Sequence, residues 1–415
     1  MRQDWKTLKL ADIADVFEDG DWIESKNQSS QGIRLIQTGN VGNGFFKDRG
    51  EKARYISYDT FAKLRCTEIV AGDCLVSRLP DPVGRACILP ETMERMITAV
   101  DCTIIRFNKS NVLPEWFVFY SLSNEYSVQI ERQVSGATRQ RISRKNLGNI
   151  EVPLPSLPEQ KRIVAILDSS FAAIDKAKAN IEKNLENVKE LFISYLNEMF
   201  ESNDKGWVNT TIGETCNLQT GGTPNTNKSE YYKDGKIKWL VSGDINQKFI
   251  FDCDGRITEL GLNNSNARYL PVNSVLIALN GQGKTRGTVA MLKTMATCNQ
   301  SLVSIYPKDD KALLPELIFS NLEGRYDEIR RMTGDSGNDR RGLNMQLIRS
   351  IKFSFPKNIK EQERIIKRLD TLRDESLKLE YLYRKKLLRF KELKESILHK
   401  AFTGELTPAT KTFVA

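Results

Sequence analysis

The stretch Ala278-Leu279-Asn280-Gly281-Gln282-Gly283-Lys284-Thr285 has the spacing of a phosphate-binding loop, with Ala278 where the first glycine usually stands. Such a loop wraps phosphates with main-chain N–H groups and launches a helix whose positive end faces the anion. Here Arg286-Gly287-Thr288-Val289-Ala290 follows, rich in glycine and β-branched residues. The related stretch Arg78-Leu79-Pro80-Asp81-Pro82-Val83-Gly84-Arg85 has no Gly-Lys-Thr. Both therefore read as basic hairpin loops, and Arg78, Arg85, Lys284 and Arg286 become candidates for holding an anion. Two further loops have the same character. Residues 135–145 include Arg139, Arg141, Arg144 and Lys145, and residues 333–344 include Arg340, Arg341 and Asn344 alongside Asp335 and Asp339. Arg and Lys neutralise phosphates, while Arg, Asn and Gln also bond base edges. On the same grounds Gln37 and Asn40 join the candidates, and the chemistry indicated is binding to nucleic acid.

Other chemistries lack their residues. His399 is the single histidine and lies in a helical pattern, which leaves no histidine-based triad or zinc site. The seven cysteines never form Cys-x-x-Cys, and their spacing suggests reduced, half-buried thiols. No Asn/Asp-Pro-Pro-aromatic motif and no Gly-x-Gly-x-x-Gly occurs. Glu392-Leu393-Lys394 has nuclease-like spacing but falls inside a helix. A binding module fits better than an enzyme.

Composition agrees. The 415 residues carry 62 Lys+Arg against 53 Asp+Glu, a net charge of +9, with 40% hydrophobic residues. That is globular composition, long enough for about two to three domains, and its surplus favours an anionic partner. No apolar run approaches the roughly 20 residues of a membrane helix, and Met1 to Lys6 shows no signal core. The cytoplasm is the expected compartment.

The elements that position the loops occur twice. Glu159-Gln160-Lys161-Arg162-Ile163-Val164-Ala165-Ile166-Leu167-Asp168 and Glu361-Gln362-Glu363-Arg364-Ile365-Ile366-Lys367-Arg368-Leu369-Asp370 share six of ten residues at an offset of 202. Upstream, Ile33 to Asn40 echoes Ile237 to Asp244, and Trp5 to Ile13 echoes Trp207 to Thr215. Apolar residues then recur at alternating steps of four and three, with Lys178 as the one break: Leu167, Phe171, Ile174, Ile181, Leu185, Val188, Phe192, Tyr195 and Met199. The second series is Ile365, Leu369, Leu372, Leu379, Tyr383, Phe390, Leu393 and Ile397, with Ser376 and Lys386 as breaks. These are heptad seams. Each predicts a helix of about 40 residues and about 60 Å. Such a seam needs a partner, most economically the other helix running antiparallel. Buried-strand runs at 74–77, 103–107, 274–279 and 302–306, and short helices after Pro114 and Pro315, make the remainder α/β. The expected fold is two globular α/β domains, 1–158 and 204–357, alternating with long helices at 159–203 and 358–415. The helices form an antiparallel coiled coil with pseudo-two-fold symmetry.

With these features in place, the chain resembles the specificity subunits of type I restriction–modification systems over nearly its whole length. The resemblance rests on Gln219-Thr220-Gly221-Gly222-Thr223-Pro224 followed by Ile237-Lys238-Trp239-Leu240 and Gly243-Asp244-Ile245. It also rests on Pro153-Leu154-Pro155 leading to Glu159-Gln160, and on Ala401-Phe402-Thr403-Gly404-Glu405-Leu406. The resemblance implies two target-recognition domains reading the halves of a split double-stranded DNA sequence, and adds Thr223 to the candidate contacts. It implies a non-catalytic chain whose helical rod sets half-site spacing and docks two modification subunits. Those partners would carry S-adenosylmethionine and methylate adenine. Restriction subunits using ATP and magnesium for translocation are further partners. The first copy has Glu18-Asp19-Gly20-Asp21-Trp22 in place of the Gly-Gly-Thr-Pro motif, so the half-sites should differ. Three other readings fit the residues. An NTPase using Lys284 and Thr285 would bind ATP, and a protein-binding scaffold would show no DNA affinity. A modification system without restriction subunits would share this sequence.

Overall fold

The computed structural model describes residues 5–136, 140–200, 206–281, 284–333 and 342–407. The chain divides into two compact units, Met1–Ile181 with Lys385–Ala415, and Glu182–Arg384.

In the first unit a four-stranded antiparallel sheet has the order Ala14–Asp19, Cys102–Phe107, Cys74–Ser77, Ala86–Ile88. A smaller sheet places Ile33–Ile36 between Arg54–Ile56, antiparallel, and Met96–Thr98, parallel. A third pairing joins Lys6–Lys9 to Glu151–Leu154. The second unit repeats this plan. Its larger sheet runs Cys216–Thr220, Leu302–Pro307, Val275–Ala278, Val289–Leu292, then adds Phe249–Ile250. Ile237–Leu240 lies between Arg256–Ile257 and the parallel Thr297–Cys298. Trp207–Thr211 pairs with Lys352–Pro356. The central strands are continuous runs of buried β-branched and aliphatic residues because both faces are covered. Pro114 and Pro315 start the helices Pro114–Ser121 and Pro315–Gly324, where a missing N–H costs nothing.

The first long helix is Leu157–Phe200 and the second Ile359–Thr403. Each gives one part to each unit. Within the first unit Glu159 bonds Thr407, and Asp175 pairs with Lys394 at 2.6 Å. Within the second, Phe192 and Tyr195 lie under the guanidinium groups of Arg373 and Arg368 at 5.6 and 5.3 Å. Rising numbers on one helix meet falling numbers on the other, so the helices run antiparallel in both units. The seam of the first helix is buried or half-buried throughout. The second departs from the heptad reading. Leu379 and Leu393 are exposed, whereas Ser376 lies half-buried. Heptad spacing therefore tracked the stripe at its ends better than in its middle.

Each unit closes one core around parts of both helices. The first gathers Trp116, Ile163, Leu167, Leu398 and Phe402, with Trp116 4.8 Å from Phe402 and 5.7 Å from Trp5. The second gathers Leu196, Phe200, Leu317, Phe353, Ile365 and Leu369. A repeated polar pin fixes each helix start. Gln160, fully buried, donates to Asn111 O and Pro155 O at 2.9 and 3.0 Å and accepts from Leu113 N at 2.9 Å. Gln362 does the same with Ala312 O and Pro356 O at 2.8 Å and Leu314 N at 2.9 Å.

Where the units differ, polar chemistry replaces aromatic packing. In the first, Phe119 packs edge-on against Phe171 at 5.5 Å. In the second, buried Arg373 bonds Glu323 at 2.8 Å, and Lys248 reaches the same carboxylate at 2.7 Å. Burial pushes the Glu323 carboxyl up, but the two cations outweigh it and hold it below the usual range. The seven cysteines are buried rather than half-buried as their spacing suggested, and burial pushes Cys66 up to about 11 and Cys87 to about 12. They are poor nucleophiles. Among the described residues no helix is long and apolar enough to cross a membrane.

Candidate nucleic-acid interface

The parallel strands Ile33–Ile36 and Met96–Thr98 leave their sheet on the same side, and the loops that follow are stitched together. Ala99 N donates to Ile36 O at 2.8 Å, Asp21 N to Thr98 O at 2.8 Å and Val100 N to Asp21 O at 3.0 Å. Gly20 permits the crossing, because a Cβ there would stand 2.3 Å from Thr98 O. Arg78 N donates to Asp101 O at 2.9 Å and Ile142 N to Arg78 O at 3.2 Å. Segments 20–22, 37–41, 78–85, 99–101 and 140–142 thus form one loop cluster. Beside it a groove of about 470 Å³ runs between residues 80–85, the helix Asn124–Gln133 and Ser135-Gly136.

The second unit repeats four of these five stitching bonds; the Val100 N to Asp21 O bond has no counterpart among its described residues. Asn299 N donates to Leu240 O, Gly222 N to Cys298 O and Leu279 N to Ser301 O, each at 2.9 Å, and Leu343 N donates to Leu279 O at 3.0 Å. Gly221 takes the place of Gly20, and a Cβ there would meet Cys298 O at 1.8 Å. Gly84 and Gly287, with φ of 83° and 81°, turn the two hairpins, and their N–H groups donate to Ser77 O and Ala278 O at 2.9 Å. The stretch with phosphate-loop spacing is therefore a hairpin. Val275–Ala278 returns as Val289–Leu292, and no helix follows among the described residues.

The candidate residues separate by burial. Arg85 is 7% exposed and donates to Val41 O, Leu79 O, Pro82 O and Thr38 O at 2.7 to 3.0 Å. Its donors are spent on main-chain carbonyls, and burial lowers its pKa. Arg78, 4% exposed, donates to Val100 O at 2.5 Å and pairs with Asp19 at 3.3 Å. Asn40 is buried; it donates to Lys47 O and accepts from Gln37 N, both at 3.0 Å. Asp244 caps Val241 N in the same way at 2.8 Å in the second unit. Arg286 is buried as well. These four side chains are buried in this structure, and Arg85, Arg78 and Asn40 bond the loops from within. Gln37 is half-buried at the mouth of the strand. Arg141 is half exposed and pairs with Asp101 at 2.9 Å. Arg144 and Lys145 are exposed in the first turn of Arg144–Gly148. Thr223 is exposed and donates to Gln300 at 2.5 Å. Lys284 is exposed on its hairpin. Asn344 caps Met345–Arg349 by accepting from Leu347 N at 2.9 Å, as Ser143 caps the equivalent helix. Arg139, Arg340 and Arg341 lie outside the described residues. The groups that sequence reasoning passed over are Trp22, 71% exposed, and Gln300. Their signal was positional, directly after Gly20 and within the 299–301 turn.

A protein-family model described as the type I restriction modification DNA specificity domain matches residues 2–187 and again 204–387. The chain belongs to this family. It is 29% identical over 240 residues to the EcoR124I/EcoR124II specificity subunit of Escherichia coli, covering 56% of this chain and 57% of that protein. It is 24% identical over 310 residues to the StySPI specificity subunit of Salmonella potsdam, covering 71% and 66% respectively. The chain thus spans less than two thirds of the length of these two relatives. Among solved structures, a chain from work on complex assembly and conformational transition of the type I R-M system superposes with a TM-score of 0.78 at 18% identity, covering 98% of this chain and 99% of that one. The HsdS subunit from Thermoanaerobacter tengcongensis gives 0.63 at 18% identity, covering 98% of each chain. These likenesses establish the type I specificity fold across the chain. The family match falls on the two repeats, so each loop cluster belongs to one copy of the DNA specificity domain.

Proposed function

We propose that this chain reads a bipartite double-stranded DNA target, one half with each loop cluster, and directs adenine methylation and restriction by partner subunits without performing catalysis. The observation that carries this reading is the duplicated frame. Four stitching bonds and the crossing glycine recur in both units, while the exposed side chains on them differ. One frame with two sets of surface groups suits two half-sites of different sequence. Arg141, Arg144 and Lys145 serve phosphates of the first half-site and Lys284 those of the second, with Thr223 and Asn344 at the second reader. Arg78, Arg85, Asn40 and Arg286 hold the loops. Arg139, Arg340 and Arg341 remain proposed contacts from sequence.

The long helices are the spacer. At 1.5 Å per residue, helices of 44 and 45 residues are each about 66 Å long. Their exposed apolar residues, including Leu377, Tyr381 and Leu388, suit the docking of two modification subunits. S-adenosylmethionine belongs to those partners, and ATP and magnesium to restriction subunits where present. The test is an insertion near 200–206 that lengthens the helical frame by a heptad-compatible turn. The unread gap between half-sites should lengthen. A methylated motif with an unchanged gap would rule out the spacer role.

A further inference from the structure

The duplicated frame allows exposed side chains to be matched by hydrogen-bond register rather than by sequence similarity. Asp21 N bonds Thr98 O as Gly222 N bonds Cys298 O, so the next residues, Trp22 and Thr223, occupy the same place. The facing turn is matched by Ala99 N to Ile36 O and Asn299 N to Leu240 O, so Val100 corresponds to Gln300. At one point of the frame the first unit therefore presents an indole beside a valine. The second presents a threonine hydroxyl donating to a glutamine amide oxygen at 2.5 Å.

Trp22 has no packing reason to be there. It is 71% exposed and belongs to no core cluster, yet the backbone immediately before it is held. Gly20 N donates to Cys102 O at 2.9 Å, Val100 N donates to Asp21 O at 3.0 Å, and the Asp21 carboxylate accepts from Thr67 N at 3.1 Å. A large apolar face on a fixed mount contacts bases or thymine methyl groups at little entropic cost. Thr223 and Gln300 bring a hydroxyl and an amide, and glutamine pairs with the adenine edge through two hydrogen bonds.

We infer that Trp22 in the first unit and the Thr223–Gln300 pair in the second are equivalent base-contacting groups, one apolar and one hydrogen-bonding, that make the two half-sites different. This rests on the reading of the chain as a two-part DNA reader. None of the three neutralises a phosphate, so their removal changes base preference and leaves the salt dependence of binding intact.

The experiment uses the full chain with its modification subunit, in wild-type form and as Trp22→Ala and Thr223→Ala/Gln300→Ala. Adenine methylation is mapped genome-wide, and binding is measured on duplexes substituted in one half-site at a time. Trp22→Ala should make the first half-site degenerate at one or more positions, with discrimination there falling at least about fivefold. The second half-site and the salt slope should be unchanged. The double variant should do the reverse. A split wild-type motif that Trp22→Ala leaves unaltered overturns the inference while sparing the two-part reading. So does relaxation of the wrong half. A wild-type complex that yields no split motif defeats the two-part reading, and the inference falls with it.

Discussion

Replacing Gln160 by Leu removes one donor group and one acceptor from a fully buried site. The side chain is fully buried and makes three hydrogen bonds, to Asn111 O, Pro155 O and Leu113 N, at 2.9 to 3.0 Å. Each buried main-chain group left unpaired costs roughly 1–3 kcal/mol, and the gain from an apolar side chain of similar size offsets part of this. A net loss of about 3 kcal/mol follows, concentrated where the first helix leaves the first reader. The Gln362→Leu variant supplies an internal control, since its three bonds have the same partners by position. Global unfolding of a two-unit chain is not expected to be two-state, so hydrogen exchange on the full chain is the better assay. Exchange at Leu113 should accelerate about 100-fold in Gln160→Leu, and at Leu314 in Gln362→Leu, by the conversion of 3 kcal/mol into a local opening equilibrium. Protection at Leu113 within threefold of wild type would refute the account of the pin. So would loss of protection at the opposite unit.

Other outcomes follow from the same structure. Arg144→Ala/Lys145→Ala should lower the slope of log binding constant against log salt by about 1.8 if both residues meet phosphates; an unaltered slope removes them from the interface. Glu323 is held below its ordinary value of 4.5 by Lys248 and Arg373, so its contribution is present above that value and is lost as pH falls through the depressed one. Glu323→Gln should therefore be less stable at neutral pH and lose less on acidification, read as urea midpoints between pH 7 and 3. Phe402→Ala, at a site 1% exposed and 4.8 Å from Trp116, should destabilise the first unit by about 3–5 kcal/mol, read as lost hydrogen-exchange protection in that unit with the second unit unchanged.

The frame was legible in the sequence because repetition and periodicity are properties of residue type. The repeated Glu-Gln pair, the heptad seam of the first helix and the proline-led helices appear in the structure, while the second seam departs at Leu379 and Leu393. Side-chain direction is not a property of type. Arg85 and Arg144 look alike in the sequence, yet one turns inward to four carbonyls and the other stands in solvent. Asn40 reads as a base-bonding amide until its bond to Gln37 N shows it capping a turn, as Asp244 does in the second copy. The hairpin at 278–287 has phosphate-loop spacing, but strand pairing to 289–292 decides its geometry, and pairing is a long-range property. Trp22 stands opposite the Gly-Gly-Thr-Pro motif in the sequence without reading as a contact, because its exposure is not a property of residue type. The hydrogen-bond register shared with Thr223 puts the two at one point of the frame.

The central claim is that one chain reads two different half-sites at a fixed separation. Long-read mapping of N6-methyladenine tests it most directly, in a host without adenine methylation that co-expresses this chain with a cognate modification subunit. The account predicts a split motif of two unlike half-sites with a constant unread gap. Methylation at a short undivided motif, or none from a soluble and associated complex, would contradict it.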